Sequence, residues 1–296
     1  MIDYAAARAV AMVVQTGSFE AAARALSVTP SAISQRVRNL EERLGTVLIL
    51  RATPCTATEQ GAWLCRHMEH VGMLEKDLLE HLPGLGEPVG MPVTLSIATN
   101  ADSLGTWFLP AVASFARGPG YLLNIAVDDE DHTADWLHRG RVVAAVTGHG
   151  KPVQGCIVRR LGAQRYIATA SPDYLHRHFP SGVTAAAIEQ APALTFNQKD
   201  RLQQDWVRQT FKQSIPFPTH WLPGTHAFVD ASLEGLGWAL NPVQLVREHL
   251  ESGRLVALVP DAPLDRALFW QVNRLAASRL TELTAAIVQA TRRALI

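Results

Sequence analysis

Residues 83–92 read Pro-Gly-Leu-Gly-Glu-Pro-Val-Gly-Met-Pro. Proline removes a backbone donor and fixes φ, and glycine frees the backbone, so neither a helix nor an interior strand runs through such a stretch. The 296-residue chain is therefore divided. The hydrophobic pattern before this linker has a helical period, whereas strands and helices alternate after it. With 48% hydrophobic and 18% charged residues, both parts have the material for a packed core, which excludes a disordered chain.

The segment before the linker predicts helices at 4–15, at Phe19 to Leu26 and from Ser31 to Leu44. Gly17 stops the first and Ser18 caps the second. Ala21, Ala22 and Ala23 let another helix come close. Thr29 caps the third helix, and Pro30 suits its first turn. Ile33, Val37, Leu40 and Leu44 form one apolar stripe, opposite Ser31, Ser34, Gln35, Arg38 and Asn39. Two helices joined by a short turn, the second with a polar, arginine-bearing face, describe a helix-turn-helix. Residues 46–58, with a turn at Pro54, predict a hairpin-like wing. Lys+Arg and Asp+Glu both number 27, so total charge is uninformative. Residues 1–58 carry six arginines against four acids, a net of +2.

Glu59 to Leu82 predicts one long helix, with Leu64, Met68, Val71, Leu74, Leu78 and Leu82 in a stripe. Gly61 and Gly72 weaken that pattern. About 24 residues of helix span about 36 Å, more than one small domain covers, so a partner helix in a homodimer is expected.

Beyond the linker the alternation predicts α/β structure with a mostly parallel sheet, closed by a helix from about Leu280 to Leu295. Ligands of open α/β folds sit at the carboxyl ends of strands. Asn100, Asp102 and Ser103 follow the first predicted strand. Asp128, Asp129, Glu130 and Asp131 follow the second, and Thr147 ends the third. Asn197 and Asp200 hold the equivalent place in the second half. Carboxylates there suit a cationic amino acid, and a helix start near Ser103 suits its α-carboxylate. The plainer alternatives are helix caps for Asp102 and Ser103 and a solvated loop for 128–131.

The chain carries no P-loop, no G-x-G-x-x-G after a strand, no G-x-S-x-G and no H-E-x-x-H. No catalytic residue, cofactor or metal is expected. His67 and His70 share a helical face, His176 and His178 flank a basic residue, and the 11 histidines are otherwise scattered. A metal site would also want carboxylate or thiolate partners at suitable spacing. Cys55, Cys65 and Cys156 lack metal-ligand spacing and suit free thiols in a reducing cytoplasm. Neither a signal peptide nor a membrane span is expected.

Phe19-Glu20-Ala21-Ala22-Ala23-Arg24-Ala25-Leu26, then Thr29-Pro30-Ser31-Ala32-Ile33-Ser34-Gln35-Arg36-Val37-Arg38-Asn39-Leu40-Glu41, then Leu44-Gly45, resembles the signature of the LysR-type transcription regulators. Arg51 and Thr58-Glu59-Gln60-Gly61 extend the likeness over roughly fifty residues with defined spacing. The resemblance implies an α/β protein overall, with a winged helix-turn-helix at 1–58 and a linker helix and hinge at 59–90. A two-lobed effector domain, similar to periplasmic binding proteins, would occupy 91–296, with lobe I at 91–165 and 268–296 and lobe II at 166–267.

It further implies double-stranded DNA as partner, held by Ser31, Ser34, Gln35 and Arg38 with Thr29, Pro30 and Arg36 beside them and Arg51 on the wing. Homodimers or homotetramers, contact with RNA polymerase and control by a small molecule also follow from it. Within the family the chain is most similar to the ArgP/LysG branch, which responds to basic amino acids and controls their export. That likeness is carried by Asn100-Ala101-Asp102-Ser103-Leu104, Thr106-Trp107, Val127-Asp128-Asp129-Glu130 and Phe179-Pro180-Ser181-Gly182-Val183-Thr184, among others. Around residues 197–201 and 226–234 the sequence departs from the branch. An organic or aromatic acid effector is the alternative, and an α/β solute-binding protein is the reading from another class.

Overall fold

A computed structural model describes residues 2–82, 93–117 and 121–296. The linker at 83–92 lies outside the described residues. Helices α1 (Tyr4–Thr16), α2 (Phe19–Ala25) and α3 (Pro30–Leu44) pack around Val10, Val13, Ile33, Val37 and Leu40. Local chemistry sets each boundary. The side chains of Asp3, Ser18 and Thr29 accept the amides of Ala6, Ala21 and Ala32 at 3.0, 3.1 and 3.2 Å. Pro30 opens α3, where its missing donor costs nothing. Gly17 ends α1 at φ +75°, and a side chain there would sit 3.0 Å from Pro54 Cβ. The Gly17 carbonyl accepts the Cys55 amide at 2.7 Å and so holds the wing to α1.

The wing is the antiparallel pair β1 (Ile49–Leu50) and β2 (Thr56–Ala57). Helix α4 (Glu59–His81) starts directly after it, with Thr58 as N-cap. Both glycines lie inside this unbroken helix. A Cβ at Gly61 would stand 1.9 Å from the Leu48 carbonyl oxygen, so glycine there permits close contact with the wing. Along α4 the predicted stripe divides. Leu64 and Met68 pack inward, whereas Leu74, Leu78 and Leu82 are each about half exposed. On another face Met73, 2% exposed, enters the core of the following domain.

That domain has one sheet joining seven of the described strands in the order β10-β6-β11-β5-β3-β4, with β9 also on β6. Here β3 is Val93–Thr99, β4 Tyr121–Val127, β5 Ala144–Thr147 and β6 Cys156–Ala170. Later come β7 (Ala193–Thr195), β8 (Thr219–Trp221), β9 (Ala239–Pro242), β10 (Val256–Ala257) and β11 (Leu264–Asn273). The pairs β3–β4, β3–β5 and β7–β8 are parallel, as predicted.

The expectation of a mostly parallel sheet nevertheless fails. Strands β6 and β11 pair antiparallel along nearly their whole length, and β5, β9 and β10 also join them antiparallel. Period-two patterning revealed only the ends of these two strands, because they pass from one core to the other and change neighbours on the way. Leu264 lies in a core with Tyr166, Trp206 and Trp238, whereas Leu268 lies in one with Ile97, Phe108 and Trp270. Two lobes thus share two crossing strands. Between β3 and β4 the chain forms α5 (Ala101–Ser103), a π-helical turn at Leu104–Phe108 and α6 (Leu109–Ala116). The closing helix is Thr281–Ala294.

Candidate nucleic-acid interface and effector pocket

On α3 the residues opposite the buried Ile33 and Val37 point outward. Thr29, Pro30, Ser31, Gln35 and Arg38 are exposed, and Ser34 and Arg36 are half-buried. Thr29 and Ser31 share a hydroxyl contact of 3.0 Å. Gln35 Nε2 donates to Asn39 Oδ1 at 2.6 Å, which holds both amides upright on one face. Arg38 makes no ion pair with another described residue. Arg51 is placed differently. Its guanidinium lies 5.2 Å from the Phe19 ring centroid and 3.9 Å from Glu41 Oε2, so the wing arginine is fixed against its own domain while remaining exposed. Hydroxyl, amide and guanidinium groups on one helix can reach base edges and phosphates of a major groove.

A second site lies between the lobes. Asn100, at the end of β3, and Asp102, in α5, line a cleft that opens to solvent and spans about 440 Å³ when its open mouth is included. Asp128, Asp129 and Glu130, after β4, line it from the same lobe. The other lobe contributes Asp200, Thr225 and Phe228. Five carboxyl groups face this space, and no lysine or arginine is among the lining residues.

Each carboxyl has its own set of donors. Asp102 accepts from Tyr166 Oη at 2.7 Å and from Thr225 Oγ1 at 2.6 Å, both from the other lobe. Asp128 accepts from Trp136 Nε1 at 3.0 Å and faces Lys199 Nζ at 3.9 Å. Asp129 accepts the Asp131 amide at 3.0 Å. Asp200 accepts the amides of Phe196 and Leu202 at 3.0 and 2.8 Å. Glu130 accepts from one described side chain, Asn100 Nδ2 at 3.4 Å, and its charged form is also favoured by its own backbone amide. Burial drives all four shifted carboxyls upward. Asp102 is held above its ordinary range by burial, opposed by its two hydroxyl donors. Burial likewise raises Asp129 and Asp200. Glu130 goes up to about 8, through burial first and then the nearby Asp129 and Asp102.

Four of the seven predicted effector residues meet at this cavity: Asn100, Asp102, Asp129 and Asp200. The other three do not line it. Ser103 is fully buried, with its hydroxyl unpartnered among the described residues. Thr147 is buried and bonded to the His149 carbonyl and to Gln271 Nε2. Asn197 folds its own turn by accepting the amides of Lys199 and Asp200. Thr225 and Phe228 were not anticipated, because their helix, Thr225–Leu233, has no clear sequence period. The described residues contain no cluster of three or more metal-ligating side chains. None of their helices is long and apolar enough to cross a membrane.

The profile described as "Bacterial regulatory helix-turn-helix protein, lysR family" matches residues 5–62, and the "LysR substrate binding domain" matches 91–295. The chain belongs to the LysR family. This LysR-family chain is 41% identical over 276 residues to the transcriptional regulator LysG of Mycobacterium tuberculosis, covering 93% of the chain and 89% of that protein. The C-terminal domains of a LysR-family protein from Agrobacterium tumefaciens match with 64% identity and a TM-score of 0.67, covering 69% of this chain and 98% of theirs. Full-length LysG from Corynebacterium glutamicum, solved with the effector Arg bound, is 33% identical with a TM-score of 0.66 and covers 99% of both chains. A DNA-binding transcription regulator of two-part, α/β architecture is therefore what this LysR-family sequence encodes.

Proposed function

We propose that the protein is a cytoplasmic, operator-specific regulator whose DNA affinity is set by a basic amino acid, lysine or arginine, bound between the lobes. The observation that carries this reading is the cavity with five carboxyl groups and no basic residue in its lining. Such a lining favours a ligand with two ammonium or guanidinium charges over an organic or aromatic acid, which like charge would expel. The bound Arg of the Corynebacterium relative supports the same ligand class.

In this reading Asp129 and Asp200 take the ligand's amino groups. The uncapped amides at the start of the helical run from Ala101 take its α-carboxylate. Asp102 is tied to Thr225 of the opposite lobe and links occupancy to lobe position. Thr29, Pro30, Ser31, Ser34, Gln35, Arg36 and Arg38 face DNA, and Arg51 follows the backbone from the wing. The working divisions are 1–58, 59–90 and 91–296, with the lobes exchanging near 165 and 267. The separate cores holding Leu264 and Leu268 support that exchange. The exposed Leu74, Leu78 and Leu82 on α4 support assembly as a homodimer or a homotetramer of dimers.

Thermal denaturation with each free amino acid tests the effector. Lysine or arginine at millimolar concentration should raise the melting temperature, since a ligand that prefers the folded state stabilises it. Asp129→Asn should lose most of that rise, about ten- to a hundredfold in affinity for one charged hydrogen bond. A rise with an organic acid and none with basic amino acids would overturn the assignment.

A further inference from the structure

We propose that Glu130 is the residue that selects for a cationic side chain, and that it releases its own proton when that cation arrives. This rests on reading the cleft as a basic amino acid site. The five carboxyls of the cavity are unequally compensated. Asp102, Asp128, Asp129 and Asp200 each have at least one hydrogen bond of 3.0 Å or shorter. Among the described side chains Glu130 has one donor, the Asn100 amide at 3.4 Å, and its own backbone amide adds a weaker opposition to burial. Asn100 is itself only 2% exposed, and its Oδ1 has no hydrogen-bond partner among the described residues. An amide with an unsatisfied oxygen beside an under-compensated carboxyl is a site lacking a polar partner.

The charged surroundings of Glu130 point the same way. On its own loop stand Asp128, Asp129, Asp131 and His132, and Asp102 faces it from α5. Asp131 is already shared with His149, at 3.7 Å. Lys199, from the other lobe, lies against Asp128 instead. Arg266, on β11, is engaged by Asp205. Asp200 and Tyr166 add no positive charge. Glu130 is therefore held neutral in the empty site, in keeping with its rise to about 8. A guanidinium or ammonium group placed against it supplies the missing counter-charge. The carboxyl then ionises, its proton passes to solvent, and the charge of the site is unchanged by the exchange. A neutral side chain cannot drive this step, so the proton linkage is also the selectivity.

Calorimetry of the full chain with L-arginine, at about pH 7 in phosphate and in Tris, measures the protons released. The expected result is up to one proton per arginine, and a Kd that tightens by as much as tenfold per pH unit until about pH 8. L-citrulline, which carries an uncharged urea in place of the guanidinium, should bind more weakly and release none. Glu130→Gln should weaken arginine binding, abolish the release and narrow the gap between arginine and citrulline. Should that variant fail to fold, the two-buffer comparison on the unaltered chain decides alone. Arginine binding with no buffer dependence overturns the role of Glu130 and leaves the effector reading standing. Absence of binding by both arginine and lysine removes both.

Discussion

Arg38 is exposed on the outer face of α3, one turn from Gln35, and no described residue competes for its charge. Arg38→Ala should therefore weaken operator binding by about 1–3 kcal/mol at fixed salt, with an unchanged melting curve. Wild-type affinity in the variant, measured by fluorescence anisotropy, would remove Arg38 from the interface. Residues of this kind were legible in the sequence because their placement depends only on helical spacing and a local cap. Thr29 and Pro30 set the start of α3, and the apolar stripe sets its rotation. The cleft was half legible for the opposite reason. Asp102 could be named from its place after a strand, but its partner Thr225 is 123 residues away. Asn197, which also follows a strand, spends its carbonyl oxygen on the turn that presents Asp200. Strand-end position identifies a neighbourhood; it does not tell which side chains remain free for a ligand.

Helix α4 carries both the stripe proposed for assembly and the contacts to the effector domain. Its outer stripe is apolar and uncovered at Leu74, Leu78 and Leu82. Leu78→Glu should shift the protein toward monomer in sedimentation velocity, since a charge in an apolar seam is costly, while a half-exposed position leaves the fold intact. An unchanged oligomer would place the seam elsewhere. The inner side of α4 is bound to the effector domain. Ser96 Oγ donates to Glu69 Oε1 at 3.2 Å, Arg279 meets Asp77 at 3.2 Å, and Gln15 of α1 reaches Thr94 at 2.7 Å. Ser96 and Asn100 lie on the same strand and at its end, so β3 joins the linker helix to the cleft.

Burial raises the Glu69 carboxyl to about 7, with the Ser96 hydroxyl and Arg66 opposing. The folded state thus prefers the protonated form. No penalty exists below about pH 4.5, where folded and unfolded chains are both protonated, and it grows until about pH 7. Glu69→Gln keeps an acceptor for Ser96 and removes the penalty. It should raise the melting temperature by a few degrees at about pH 8 and change little at about pH 4. Equal shifts at both values would show that ionisation of Glu69 is not what matters there.

At the scale of the molecule, a helical DNA-binding unit, a long helix and a two-lobed domain follow one another in the order the sequence implied. The fold class was legible because hydrophobic period changes across residues 83–92. The sheet topology was not, since β6 and β11 are long strands whose neighbours differ at their two ends, and no single period describes them. What the whole chain does depends on coupling between two sites, so it is tested by measuring both at once. A labelled duplex from the protein's own upstream DNA, titrated with the full chain with and without millimolar L-arginine, is the direct measurement. The account predicts saturable, salt-dependent binding and a displaced or differently shaped curve when arginine is present. No binding to the duplex, or superimposable curves with and without each basic amino acid, would contradict it.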